Sequence, residues 1–334
     1  GSDTMNNYIG QKAAAELYEE LLVDDDAFLE SLKADAEKAG QGIKTDIRLH
    51  SVDNDGVHTP FDLYIPKYAI TAVVARTGGG KTTMMTNLAT RMTMAGATGL
   101  YVTLEEPAFA ITSKMLAAYS TYKNQKYTGQ AITTAAAIKT IAGKDNHQDV
   151  NSFKSDVLRR CRPIDANKLF DKEHIASATL LYQPQYIADI LDYVKGDGKP
   201  LDFVIIDFGQ LMEVAGAENS NSYQRIKAVM MALKNLAGTG IAVIIGGQMK
   251  RETAAKWIFD WEPEDIRDGS DLEQACSMII AVGRDQKQKD IDQRDVIRLL
   301  KNRNGRKRVG GMLTIDFEHN YIPTLTEQPT EKAL

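Results

Sequence analysis

The stretch Ala69-Ile70-Thr71-Ala72-Val73-Val74-Ala75-Arg76-Thr77-Gly78-Gly79-Gly80-Lys81-Thr82 decides how this chain folds. Its first six residues are apolar or β-branched and read as a buried strand, the octet 75–82 reads as a glycine-rich turn, and residues 83–95 read as a helix. That order builds a cradle for phosphate, because backbone N–H groups of the turn and of the helix N-terminus converge on an anion. In such a cradle Lys81 reaches the β- and γ-phosphates and the Thr82 hydroxyl holds Mg²⁺. Arg76, Thr77, Gly78, Gly79, Gly80, Lys81, Thr82 and Thr83 are therefore the candidate nucleotide contacts. Ala75 occupies the first position of G-x-x-x-x-G-K-[ST], so the motif is a variant. A solvated glycine loop is the plain alternative, and the strand before, the helix after and the Lys-Thr pair weigh against it.

Working outward, 334 residues with 43% hydrophobic content can bury a substantial core, and the motif order favours one large domain over two small ones. No apolar run approaches the ~20 residues that a membrane span needs. The N-terminus lacks the basic-then-apolar layout of a signal peptide, so a soluble, cytoplasmic protein without a membrane partner is expected. Gly1-Ser2 reads as a cloning remnant. Cys161 and Cys276, the two cysteines, are far apart and lack metal-ligand spacing, which argues against a disulfide framework or a zinc site. A net charge of −5 excludes a protein that coats nucleic acid by bulk positive charge. One basic concentration stands out, formed by Arg298, Lys301, Arg303, Arg306, Lys307 and Arg308.

Residues 6–40 carry apolar positions at helical spacing and read as one or two amphipathic helices, with Asp24-Asp25-Asp26 as the break and cap. Residues 41–68 read as an irregular connector with a turn at Asn54-Asp55-Gly56. Beyond the glycine turn, strands are expected at 100–104, 179–182, 203–208, 241–246, 278–282, 296–300 and 312–317. Helices are expected at 109–122, 186–194 and 223–236. Residues 122–176 read as mostly helical peripheral structure. The alternation defines an α/β fold with a mostly parallel sheet flanked by helices.

Four further positions carry candidate chemistry. The apolar strand 201–206 ends in Asp207, where a P-loop site keeps a carboxylate for Mg²⁺. Glu105 and Glu106 end the strand 100–104, at the sheet edge where parallel strands bind ligands; one could polarise water, and equally they could cap the helix after Pro107. Gln248 ends another strand and could hydrogen-bond the γ-phosphate or the attacking water, or be a loop amide without a role. Lys301-Asn302-Arg303-Asn304-Gly305 closes a strand with two cations; they suit a phosphoryl transition state, supplied by a neighbouring subunit, or a solvated or nucleic-acid-contacting turn.

Taken together, these residues resemble the RecA-like C-terminal motor domain of DnaB-type replicative helicases, a hexameric family of bacteria and phages. Residues 75–82 are similar to its A-R-P-S-M-G-K-T loop, Thr103-Leu104-Glu105-Glu106-Pro107 to S-L-E-M-P, and 205–212 to I-D-Y-L-Q-L-M. Gln248-Met249-Lys250-Arg251 is similar to Q-L-N-R, and 301–305 to K-Q-R-N-G. The resemblance implies that Glu105 is the catalytic acid-base residue, Gln248 the γ-phosphate sensor, and Lys301 and Arg303 the groups that reach a neighbour's nucleotide. Residues 265–274 resemble the channel loop S-D-L-R-E-S-G-S-I-E-Q, which implies strand contacts at Arg267, Asp268, Gly269 and Ser270. Asp268 departs from the family's Glu, and Gly269-Ser270 reverses its Ser-Gly.

The expected protein is thus an ATP- and Mg²⁺-dependent motor on single-stranded DNA, working as a homo-oligomeric, hexameric ring in a bacterial or phage-infected cell. Primase or a helicase loader is an implied partner. The expected organisation is a helical linker segment at 1–45, a motor domain at 46–325 and a tail at 326–334. The competing readings are a RecA-like recombinase and a helicase loader or regulator that hydrolyses ATP without unwinding.

Overall fold

A computed structural model describes residues 15–16, 19, 24–40, 42–124, 130–165, 201–207, 222–267, 269–285, 294–303, 305–306 and 308–329. The chain forms two compact units, Gly1–Gln41 and Gly42–Leu334. In the first, helix α1 (Asp25–Gly40) starts where the acidic triplet predicts. The Asp24 carboxylate accepts the Ala27 N–H at 2.9 Å, an N-cap that satisfies one of the amides a helix leaves unpaired.

The second unit is built around strand β3 (Ala69–Ala75), whose seven residues are all buried. Around it lie β1 (Ile43–Val52), β2 (His58–Ile65), β4 (Gly99–Thr103), β5 (Cys161–Asp165), β6 (Phe203–Asp207), β7 (Ala242–Gln248), β8 (Met278–Arg284), β9 (Asp295–Asn302) and β10 (Val309–Leu313), in the order β2-β1-β10-β9-β8-β3-β7-β6-β4-β5. Pairings from β5 through β8 are parallel. Those from β8 through β2 are antiparallel. Helices α2 (Lys81–Met94) and α3 (Ala108–Lys123) cover one face through Met84, Met85, Leu88, Ile111 and Met115. Helix α6 (Ser222–Ala237) covers the other through Val229, Met230 and Leu233. Both faces of the parallel half are therefore buried, which is why its strands read as continuous apolar runs.

Three sequence expectations need correction. Residues 43–65 are not an irregular connector but the hairpin β1–β2, closed by Asp53, whose carboxylate accepts the N–H groups of Asp55 at 2.9 Å and Val57 at 2.8 Å. The inward alternation of β1 includes Thr45, which donates its hydroxyl to the Leu63 carbonyl, and it continues through an irregularity at Asp46 (φ 55°) that offsets the pairing with β2. Residues 122–176 contain α4 (Thr134–Ile141) and α5 (Asp149–Phe153) but also strand β5. Pro163 hides that strand, and it is tolerated because β5 pairs with a single neighbour, β4, among the described strands. The strand expected at 312–317 ends at Leu313 and gives way to a turn closed by reciprocal Asp316–Tyr321 backbone bonds of 3.0 and 2.8 Å. The elements expected at 179–182 and 186–194 lie outside the described residues.

Candidate nucleotide-binding site

At the carboxyl end of β3 the chain turns through Gly78 (φ 72°) and Gly80 (φ 99°), a conformation that side chains other than glycine rarely adopt. Gly79 closes the turn by donating to the Arg76 carbonyl at 2.8 Å. Helix α2 then begins at Lys81 without a side-chain cap, and the positive end of a helix favours an anion. Arg76, Thr77, Gly78, Gly80, Lys81, Thr82, Thr83, Glu105 and Gln248 line one cleft. Ala75 causes no difficulty in the first motif position, because it is the last buried residue of β3.

Three strands deliver charge to this cleft. Lys81 Nζ lies 3.7 Å from Glu105 Oε2 and 3.8 Å from Asp207 Oδ1. Asp207 is 1% exposed. Its Oδ2 accepts the Thr82 hydroxyl at 3.2 Å and the Tyr101 hydroxyl at 3.0 Å, whereas Oδ1 is buried without a hydrogen bond. Burial pushes the Asp207 carboxyl up, opposed by Lys81, Tyr101 and Thr82. An unsatisfied buried carboxylate oxygen beside a threonine hydroxyl fits a hard divalent cation, so Thr82 and Asp207 suit Mg²⁺.

The two strand-end glutamates are separated by their partners. Glu105 is half exposed and approaches Lys81, whereas Glu106 accepts Lys114 Nζ at 2.6 Å on both oxygens. Neither is the hydrogen-bonded cap found at the start of α3. Pro107 is the N-cap residue, and Asp165, from the end of β5, accepts the Ala108 N–H at 2.5 Å.

Gln248 sits beside Ala75 in the β3–β7 register, and its carbonyl accepts the Arg267 N–H at 2.8 Å. The candidate strand-contacting loop thus starts next to the cleft. Arg267 and Ser270 are exposed and Gly269 is buried at the start of α7 (Gly269–Ala275), while Asp268 lies outside the described residues. Lys301 and Arg303 are not brought to the cleft. Lys301 pairs with Ile279 near the start of β8, whereas Ala75 pairs with Val282 near its end. Val282 faces Ile297, which places Lys301 about 13 Å farther along β9. There Lys301 Nζ donates to the Glu273 carbonyl and Arg303 Nη2 to the Gln274 carbonyl, at the carboxyl end of α7. Burial, and then Arg303, lower the pKa of Lys301.

The basic concentration of the sequence does not form a single patch. Arg298 turns inward and donates to the carbonyls of Phe259 at 2.6 Å and Trp261 at 2.9 Å, and Arg308 donates to the Asp53 carbonyl at 3.0 Å. Lys307 lies outside the described residues. Sequence reasoning also missed Lys114 and Phe317, which line the cleft, and Tyr101, which holds Asp207 from behind it. Tyr101 is buried in the interior of β4, and a tyrosine in such a run needs a partner for its hydroxyl, a signal that could have led to Asp207. Phe317, 44% exposed, lines the cleft from the turn after β10, and no motif marks it.

The sheet order and the glycine cradle define a RecA-like P-loop fold. The DnaB-like helicase C-terminal domain model matches residues 65–322, and the chain belongs to that family. Among curated relatives, a probable replicative DNA helicase of Trieres chinensis is 28% identical over 128 residues, 36% of this chain. That match spans only 28% of the relative's length. Among solved structures, the chain resembles the ATPase domain of G40P at a TM-score of 0.56 and 19% identity, covering 76% of this chain and 84% of that one. It resembles a DnaB-like replicative helicase, solved in a study of its interactions with primase, at a TM-score of 0.62 and 18% identity, covering 96% and 72%. These likenesses bear on the fold. No described helix is long and apolar enough to cross a membrane.

Proposed function

We propose that the chain is the ATP-driven motor of a replicative DNA helicase, hydrolysing ATP between subunits of a ring and moving along single-stranded DNA. The observation that carries this reading is the division of charge. Lys81, Glu105 and Asp207 converge on the glycine cradle, whereas Lys301 and Arg303 sit at the other end of the sheet, bound to α7 carbonyls. The cradle amides and Lys81 would bind the phosphates, Thr82 and Asp207 would hold Mg²⁺, Glu105 would take a proton from the attacking water, and Gln248 would contact the γ-phosphate. Bound Mg²⁺ would neutralise charge on the phosphate oxygens. Phe317, with its ring beside Gly80, would pack against the base. Arg267 and Ser270 would contact strand phosphates, which position DNA without reading sequence. Primase or a helicase loader would be a further partner.

Mixing Arg303→Ala with Lys81→Ala chains tests the arrangement. Interfaces that pair an intact cradle with an intact Arg303 should recover part of the ATP turnover that each variant lacks alone. No recovery, with mixed assembly verified by native mass spectrometry, would sink the shared site. A forked-duplex assay separates the motor from a loader, since a loader hydrolyses ATP without displacing the strand.

A further inference from the structure

The cleft contains a second lysine that the reading above leaves without a role. Lys114, in α3, lines it together with Lys81. Its ammonium is shared between both oxygens of Glu106 at 2.6 Å, with the two side chains 25% and 34% exposed. Both partners are fixed by their backbones. The Glu106 carbonyl accepts the Thr103 hydroxyl at 2.5 Å, which sets the turn between β4 and α3. The Lys114 carbonyl accepts Asn320 Nδ2 at 3.0 Å, and the same nitrogen donates to Thr86 Oγ1 at 2.8 Å. Asn320 belongs to the turn that carries Phe317, and Thr86 to the helix that begins at Lys81. The base of Lys114 is therefore tied to both other walls of the cleft, unlike an ion pair on two solvated stems.

Charge indicates what the pair does. Glu105 and Asp207 already flank Lys81, and Glu106 is a third carboxylate whose charge Lys114 offsets. An entering triphosphate offers that ammonium several charged oxygens in place of one carboxylate, and charge-assisted bonds to phosphate favour the exchange. Glu106 and Lys114 line the same cleft as Glu105, which lies 3.7 Å from Lys81 Nζ, and Lys81 is the side chain that would reach the terminal phosphate. We infer that Lys114 is a second phosphate-binding cation held in reserve by Glu106, and that its transfer from Glu106 to the γ-phosphate makes the cleft prefer ATP to ADP. The inference rests on the proposed ATP site.

Equilibrium titration of the full chain with fluorescent ATP and ADP analogues in Mg²⁺ tests it, using wild type, Lys114→Gln, Lys114→Arg and Glu106→Gln. Lys114→Gln should weaken ATP binding about tenfold and leave ADP within about twofold, with Lys114→Arg restoring most of the loss. Glu106→Gln frees the ammonium without changing the shape of the site and should raise the ATP-to-ADP preference severalfold. Equal losses for the two nucleotides in Lys114→Gln, or an unchanged preference in Glu106→Gln, overturns the inference. If Lys114→Gln does not fold, Glu106→Gln decides alone. A wild-type chain that binds neither nucleotide overturns the ATP reading itself, and this inference with it.

Discussion

Asp207 ends an apolar strand with one oxygen held by Thr82 and Tyr101 and the other buried without a hydrogen bond. Its carboxyl is raised mainly by burial. A carboxyl held above its unfolded value favours the protonated folded state, so that contribution to stability is present at acid pH and is lost as pH rises through the folded pKa. In Mg²⁺-free buffer, urea denaturation should therefore show wild type gaining on Asp207→Asn as pH falls from neutral into the acid range. A pH-independent gap between the two would contradict this account of Asp207. Phe317→Ala should raise the KM for ATP about tenfold, the order expected for loss of one stacked base, and change kcat much less; steady-state kinetics read both. Lys81 and Thr82 were legible because the cradle imposes a local spacing on them, and Asp207 because it ends a continuous apolar strand. Tyr101 and Phe317 were not, since Tyr101 meets Asp207 only through the β4–β6 pairing and Phe317 comes to the cleft on a turn more than two hundred residues along the chain from the cradle.

At the scale of elements, the parallel strands were legible because burial on both faces leaves no polar alternation to interrupt them. The hairpin strand β1 and the parallel strand β5 were harder. In β1, Thr45 and Ser51 occupy inward positions, and the two hydroxyls dilute the apolar stripe that marks a half-buried strand. In β5, a place at the edge of the described sheet removes the constraint that normally keeps proline out. Helix α7 shows how closely one element can depend on another. A Cβ at Gly269 would lie 2.5 Å from the Pro263 carbonyl oxygen, a contact that backbone must move to relieve. Gly269→Ala should destabilise the chain by about 1–3 kcal/mol in chemical denaturation. It should also increase hydrogen exchange at the Arg267 amide, whose bond to Gln248 crosses the same junction. Exchange at Arg267 equal to wild type would show that the helix start and the cleft are independent.

On the scale of the whole molecule, the hairpin and β5 extend the sheet to ten strands among the described residues without altering its centre, where β3 keeps β7 and β8 as neighbours. The separation of Lys301 and Arg303 from the cleft follows from the direction of one strand. Because β9 runs antiparallel to β8, its last residues emerge at the amino ends of the parallel strands, while the cradle opens at their carboxyl ends. Each copy thus has a head that receives nucleotide and a tail that carries the two cations. A two-fold dimer places like surfaces together, so it cannot join a head to a tail at both of its sites. Only head-to-tail association can do so, and it must either close into a ring or continue as a filament, with the rotation between successive copies deciding which.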